Sequence, residues 1–213
     1  VRAVDGLNRR AARARVIELL RLVDIPDPED VARRYPHQIS GGMAQRVAIA
    51  MAIAGRPDLL IADEPTTALD VTVQAEILDL LRSLQQDFGM AILLVTHNWG
   101  VVADLCSRVV VMYAGQVVET AGIEDVFRAP AHPYTRALLR SSPEHTPVGE
   151  PIRAVPGTVP APQDWPAGCH FAGRCELAVD ACSQAPVADV EVLPGRRSRC
   201  IRTELLIGQE ASR

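Results

Sequence analysis

From Leu7 to Val23 the chain reads LNRRAARARVIELLRLV. Leu7, Ala11, Ala14, Ile17 and Leu20 share one side of a 3.6-residue repeat and the arginines take the other, which predicts an amphipathic helix. Pro26 and Pro28 end it, and PEDVARRY starts a short second helix with acids in its first turn, where they meet the positive end of the helix dipole. Ser40 is an N-cap residue, and Met43 to Ala54 is rich in helix formers, with Gly55 at the stop and Pro57 beyond. Leu59 to Ala62 is an apolar run of buried-strand type, closed by Asp63-Glu64-Pro65. Residues 71–88 return to helical spacing and stop at Gly89. MAILLVTHN predicts a second buried strand with His97 just past its end, GVVADLC a helix, and RVVVMYAGQVVE two strands around Ala114-Gly115. This alternation predicts an α/β fold with a parallel sheet and helices on its faces. In such sheets chemistry collects beyond the carboxyl ends of the strands, where Asp63, Glu64 and His97 fall.

From about residue 125 the pattern changes. Prolines crowd the region from Pro130 to Pro194, and residues 143–168 read as an extended Pro/Gly-rich linker with no room for a helix. The expected division is therefore 1–124 and 125–213, the second part small and irregular. A net charge of −4 and a pI of about 5.7 argue against a nucleic-acid partner. No apolar run approaches the ~20 residues that span a bilayer. All 22 cationic side chains are arginine; the 213 residues contain no lysine.

Three groups carry candidate chemistry. Ser40-Gly41-Gly42 precedes a helix, whose free N–H groups and positive dipole end attract phosphate, although SGG alone reads as a plain cap. Asp63 at a strand end is suited to hold Mg²⁺, and Glu64 beside it to polarise a water. His97, alone a capping or solvent-facing histidine, is placed to bond a transferring phosphoryl group. The third group is the set of four clustered cysteines, Cys169-x5-Cys175-x6-Cys182-x17-Cys200. Four thiolates suit either Zn²⁺ or a [4Fe–4S] cluster, and the wide spacings favour the cluster. Arg174, Arg196, Arg197 and Arg199 nearby are expected to offset its negative charge, and Cys106 reads as a small core residue.

Taken together, the first two groups resemble the ATP-binding-cassette (ABC) transporter ATPases. ISGGMAQRV resembles the family's LSGGQ signature, LLIADEP its Walker B strand, TALD its D-loop and VTHN its switch histidine, in the family's order. The resemblance implies that Asp63 binds Mg²⁺, Glu64 is the general base, His97 senses the γ-phosphate and Asp70 communicates across an ATPase dimer. It implies also that Ser40, Gly41 and Gly42, with Gln45 on the same helix start, meet ATP held by the opposite subunit. Met43 stands where the family has Gln, which puts one polar contact in doubt. The family's phosphate loop needs a lysine, so the chain reads as the C-terminal portion of a longer ATPase subunit, inactive alone.

His132-Pro133-Tyr134-Thr135, VPGTVPAP and CHFAGRC resemble the C-terminal extension of oligopeptide and dipeptide importer subunits, with nickel importers close by. That resemblance implies a subunit using ATP and Mg²⁺ to power peptide import. Its partners would be a second, homologous ATPase subunit in a heterodimer, integral membrane permeases and, indirectly, a substrate-binding protein. Its place would be the cytoplasmic face of the membrane. The alternatives are a non-catalytic, metal-bearing regulatory half-domain, or an importer ATPase for another substrate such as nickel.

Overall fold

The computed structural model describes residues 6–142, 149 and 154–207. The chain forms two compact units that divide between His97 and Asn98.

In the first unit, helix α1 (Arg9–Leu22) starts at Asn8, whose side chain accepts from Ala11 N at 3.0 Å. Its buried stripe is Ala12, Leu19 and Leu20, running on to Val23 and Ile25, and Ala14 of the expected stripe faces solvent. Helix α2 (Pro28–Val31) and a 3-10 turn (Pro36–Gln38) lead to helix α3 (Gly41–Ile53). Both glycines thus lie inside the first turn of α3 rather than ahead of it. Past its end, Arg56 and not Gly55 takes the left-handed conformation, with φ 49°. Strand β1 (Leu59–Asp63) pairs in parallel with β2 (Ala91–Val95), in the register Leu59↔Ala91 to Asp63↔Val95. Helix α4 (Val71–Phe88) is the crossover between them, buries Ile77, Leu78, Leu80, Leu81 and Leu84, and stops at Gly89 in the left-handed region. Arg46 ties α3 to its neighbours, donating to Val23 O at 2.9 Å and to Glu76 at 3.0 Å.

The two strands differ from the expected fully buried type. Their burial alternates, and Leu59, Ile61, Leu93 and Val95 are each about half exposed or more on one face.

The second unit begins with helix α5 (Trp99–Leu105), capped by Asn98 and ending at a half-buried Cys106. Strands β3 (Arg108–Tyr113) and β4 (Gln116–Gly122) make the expected hairpin around Ala114-Gly115. Helix α6 (Ile123–Arg128) and helix α7 (Pro133–Ser141) follow. Of the expected linker, residues 143–148 and 150–153 lie outside the described residues. The rest is irregular, with a 3-10 turn at Pro162–Asp164, and a second such turn follows at Ala172–Arg174. Helix α8 (Ala181–Gln184), strands β5 (Val190–Leu193) and β6 (Arg196–Ser198) and helix α9 (Glu204–Ile207) complete the unit.

The sheet order is β3-β4-β6-β5, all antiparallel. The hairpin and the tail therefore share one sheet through Glu119↔Ser198 and Thr120↔Arg197. One apolar core joins them, built of Val109, Val111, Tyr113, Val118, Ala121, Val126, Leu139 and Phe171. Tyr113, Tyr134 and Phe171 pack ring to ring there, with centroids 4.6–5.3 Å apart. The tail accordingly has two strands and a share of a core where the sequence suggests irregular chain.

Candidate functional site

The ends of β1 and β2 carry the first site. Parallel pairing sets Asp63 opposite Val95, so the residues that follow each strand emerge side by side. Glu64 N donates to Val95 O at 2.8 Å, which extends the ladder one residue. Glu64 adopts φ 46°, an unfavourable conformation for a residue with a Cβ and one that recurs at functional sites. One carboxylate oxygen of Glu64 lies 2.7 Å from His97 Nδ1, and the other accepts from Thr67 Oγ1 at 2.9 Å. The bond from His97 holds the Glu64 carboxyl below its ordinary value, so the group is an anion at neutral pH. Asp63 and His97 are solvent-exposed, with 85% of the His97 side chain accessible. Two carboxylates and an exposed imidazole are thus brought together by one strand pair.

The start of α3 is the second element. Ser40 Oγ accepts from Met43 N at 3.3 Å, and Ser40 O accepts from Ala44 N at 2.9 Å. Ser40 and Gly41 are exposed, so the helix N-terminus presents its first amides to solvent. Gly42 is required here: a Cβ would sit 2.7 Å from Val73 Cγ1 in the first turn of α4. Gln45 is half-buried one turn in. Asp70 caps α4, accepting from Val73 N at 3.0 Å. Gly41 and Gly42 thus lie against Leu69 and Val73, on either side of Asp70 in the sequence. Asp70→Ala is expected to destabilise the unit by about 1 kcal/mol, whereas Asp70→Asn keeps the cap and costs a few tenths at most. Urea unfolding of the two variants measures the difference.

The four cysteines of the second unit converge. Cys169, Cys175, Cys182 and Cys200 line one hollow of about 310 Å³, part of it open to solvent, and all are free thiols. Cys169 N donates to Cys182 O at 2.7 Å, Leu177 N to Cys175 Sγ at 3.3 Å, and Arg202 N to Cys200 Sγ at 3.3 Å. Gly168 permits this closure, since a Cβ would lie 2.2 Å from Cys182 O. Burial raises the Cys169 and Cys175 thiols and pushes Cys200 up to about 11, while amide hydrogen bonds to each pull the other way. Thiols raised by burial, as Cys169, Cys175 and Cys200 are, ionise readily only where a cation offsets their charge. Among the described residues, no group of three or more His, Cys, Asp or Glu side chains is placed to hold a metal ion.

The arginines expected around this site are engaged elsewhere. Arg174 donates to Val155 O, Pro156 O and Tyr113 Oη; Arg196 to Ala129 O; Arg197 to Asp189; Arg199 to Val117 O and Val187 O. The arginine lining the hollow is Arg202, accompanied by His132. Neither was legible as part of the site, because both reach it only through the packing of α7 and the chain after β6.

Two family models match the chain: "ABC transporter" over residues 3–67, and "Oligopeptide/dipeptide transporter, C-terminal region" over residues 118–182. A putative peptide import ATP-binding protein of Brucella ovis is 53% identical over 210 residues, covering 95% of this chain and 62% of the relative. The dipeptide transport ATP-binding protein DppD of Escherichia coli is 51% identical over 200 residues, covering 94% and 61%. The chain spans about three fifths of the length of these curated relatives. A solved dimeric ATP-binding cassette in a post-hydrolysis state with ADP and Pi is 32% identical, covers 55% of this chain and 49% of its own, and has a TM-score of 0.49.

Proposed function

We propose that the chain belongs to the ABC transporter ATPase family and is the signature-bearing part of an ATPase subunit that powers peptide import. The observation that carries this reading is the Glu64 carboxylate held between His97 and Thr67 at the end of a parallel strand pair. Glu64 would take the proton of the attacking water, Asp63 would hold Mg²⁺, and His97 would leave Glu64 to bond the γ-phosphate. Ser40, Gly41 and Gly42 would present their helix start to ATP held by a second, homologous subunit, with Gln45 beside them and Asp70 linking the two sites. Membrane permeases would take up the resulting closing and opening. No described helix is long and apolar enough to cross a membrane; a peripheral place on the cytoplasmic side rests on the relatives' names. Peptide as the substrate rests on the names of the relatives.

The exposed apolar face of β1 and β2 supports the same reading. A parallel sheet buries both faces, and two strands alone are marginal. Leu59, Ile61, Leu93 and Val95 would be covered by the remainder of the ATPase domain in the whole protein. The 213 residues hold no lysine, so the lysine of a phosphate loop would have to come from outside them. Isothermal titration of residues 1–213 with Mg-ATP is expected to give no tight binding, and tight binding would overturn this assignment. The function itself is tested by ATP-dependent dipeptide uptake into proteoliposomes holding the whole subunit and its permeases. Uptake of nickel but not of dipeptide would redirect the substrate.

We propose further that the four-cysteine hollow holds a [4Fe–4S] cluster, with Zn²⁺ as the alternative. The four cysteines that line one hollow and the amides bonded to Cys175 and Cys200 sulfur support this reading. When bound, it would supply a cross-link that orders the tail.

A further inference from the structure

Both oxygens of the Glu64 carboxylate are engaged, and the two partners differ in kind. His97, on Oε1, comes from beyond β2, 33 residues along the chain, and its side chain is 85% accessible. Little packing therefore holds the ring in place. Thr67, on Oε2, belongs to the same turn as Glu64. Thr67 N donates to Glu64 O at 3.2 Å and Thr67 Oγ1 donates to the carboxylate at 2.9 Å, so one residue holds both the backbone and the side chain of the other. The turn is itself anchored. Pro65 and Thr66 are buried, and Leu69 N donates to Thr66 O at 3.3 Å. Glu64 at φ 46° and Ala68 at φ 63° are two non-glycine residues in the left-handed region, a conformation that persists only where the surroundings enforce it.

A general base needs one oxygen free to take a proton and a carboxylate plane fixed so that this oxygen faces the water. A donor that moves with Glu64 fixes the plane without occupying the working oxygen. Thr67 is such a donor, because its hydroxyl is tied to the turn that carries Glu64. When His97 turns away, the oxygen that opens is Oε1, and Oε2 stays bonded.

We infer that Thr67 is a positioning residue for hydrolysis: its hydroxyl keeps Oε2 of Glu64 and so makes Oε1 the oxygen that takes the proton of the attacking water. In that step a water O–H bond breaks and its proton goes to Oε1. The water oxygen bonds the γ-phosphorus, and the bond from phosphorus to the bridging oxygen breaks with its electron pair leaving on ADP. Thr67 keeps its own proton throughout, and Glu64 returns the one it took to solvent. The inference rests on the reading of Glu64 as the general base given above.

The test is steady-state ATP hydrolysis by the whole subunit, assembled with its partner subunit and permeases in proteoliposomes. Thr67→Val keeps the shape and removes the hydroxyl; Thr67→Ser keeps the hydroxyl. Thr67 is exposed, so losing its hydroxyl leaves no buried group unmatched and the fold is expected to persist. Thr67→Val is expected to lower kcat about 10-fold, the scale of a slightly misplaced reacting group, with KM for ATP unchanged. Thr67→Ser should restore most of that loss. On a Glu64→Gln background, Thr67→Val should have no further effect, since its target is already gone. Wild-type kcat in Thr67→Val, equal losses in the Val and Ser variants, or a full further loss on the Glu64→Gln background each overturns the assignment. If Thr67→Val does not assemble, Thr67→Ala against Thr67→Ser decides by the same criteria. Hydrolysis at the wild-type rate in Glu64→Gln alone would overturn the reading of Glu64 as the base, and the Thr67 assignment with it.

Discussion

Replacing Glu64 with glutamine is expected to lower ATP hydrolysis by the assembled transporter about 10²–10⁴-fold, the range lost with a general base. The substitution keeps the side chain's shape, and the amide oxygen can still accept from His97 or from Thr67, which bond the carboxylate now. What it removes is the anion. Nucleotide-dependent pairing with the partner subunit should therefore survive while phosphate release stops. The measurement is phosphate release from proteoliposomes alongside an ATP-dependent dimerisation assay. Hydrolysis at the wild-type rate would remove Glu64 from the chemistry and leave the strand-end cluster as a turn.

Truncating Glu119 should have the largest effect on stability. Glu119 lies on β4 at 1% exposure and accepts from Ala131 N at 2.6 Å and His132 N at 2.9 Å. Arg196 Nη2 lies 3.9 Å away, itself buried, and donates to Ala129 O. One carboxylate thus holds the chain leading into α7, and with it the His132 ring. Glu119→Ala leaves two buried amides and a buried guanidinium unmatched, at a cost of about 3–5 kcal/mol. The melting temperature should fall on the order of 10 °C. Burial raises the Glu119 carboxyl above its ordinary 4.5 against these hydrogen bonds. Its stabilisation is therefore full below pH 4.5 and declines as pH rises through the raised value. Calorimetry of wild type and Glu119→Ala across that range measures both effects. A loss below about 1 kcal/mol would show that the α6–α7 connection holds without the carboxylate.

The sequence by itself determined the elements whose signals are local. Ser40 caps the helix that follows and Gly89 stops α4, because capping acts within one turn of the backbone. The apolar runs marked β1 and β2, and the residues just past them identified Glu64 and His97 before any packing was known. Only the tertiary structure decided that these two side chains bond each other, since 33 residues separate them. It also decided which of α1's apolar residues are buried, which the period alone leaves open by a fraction of a turn. The tail was the least legible part. β6 meets β4 through Glu119↔Ser198, a pairing that nothing within either strand specifies. The same long-range closure chose Arg202 over the four arginines expected around the cysteines, and brought His132 to the hollow. Cysteine spacing announces a shared site, but the second layer around it comes from distant segments, and no local pattern records which of them will arrive.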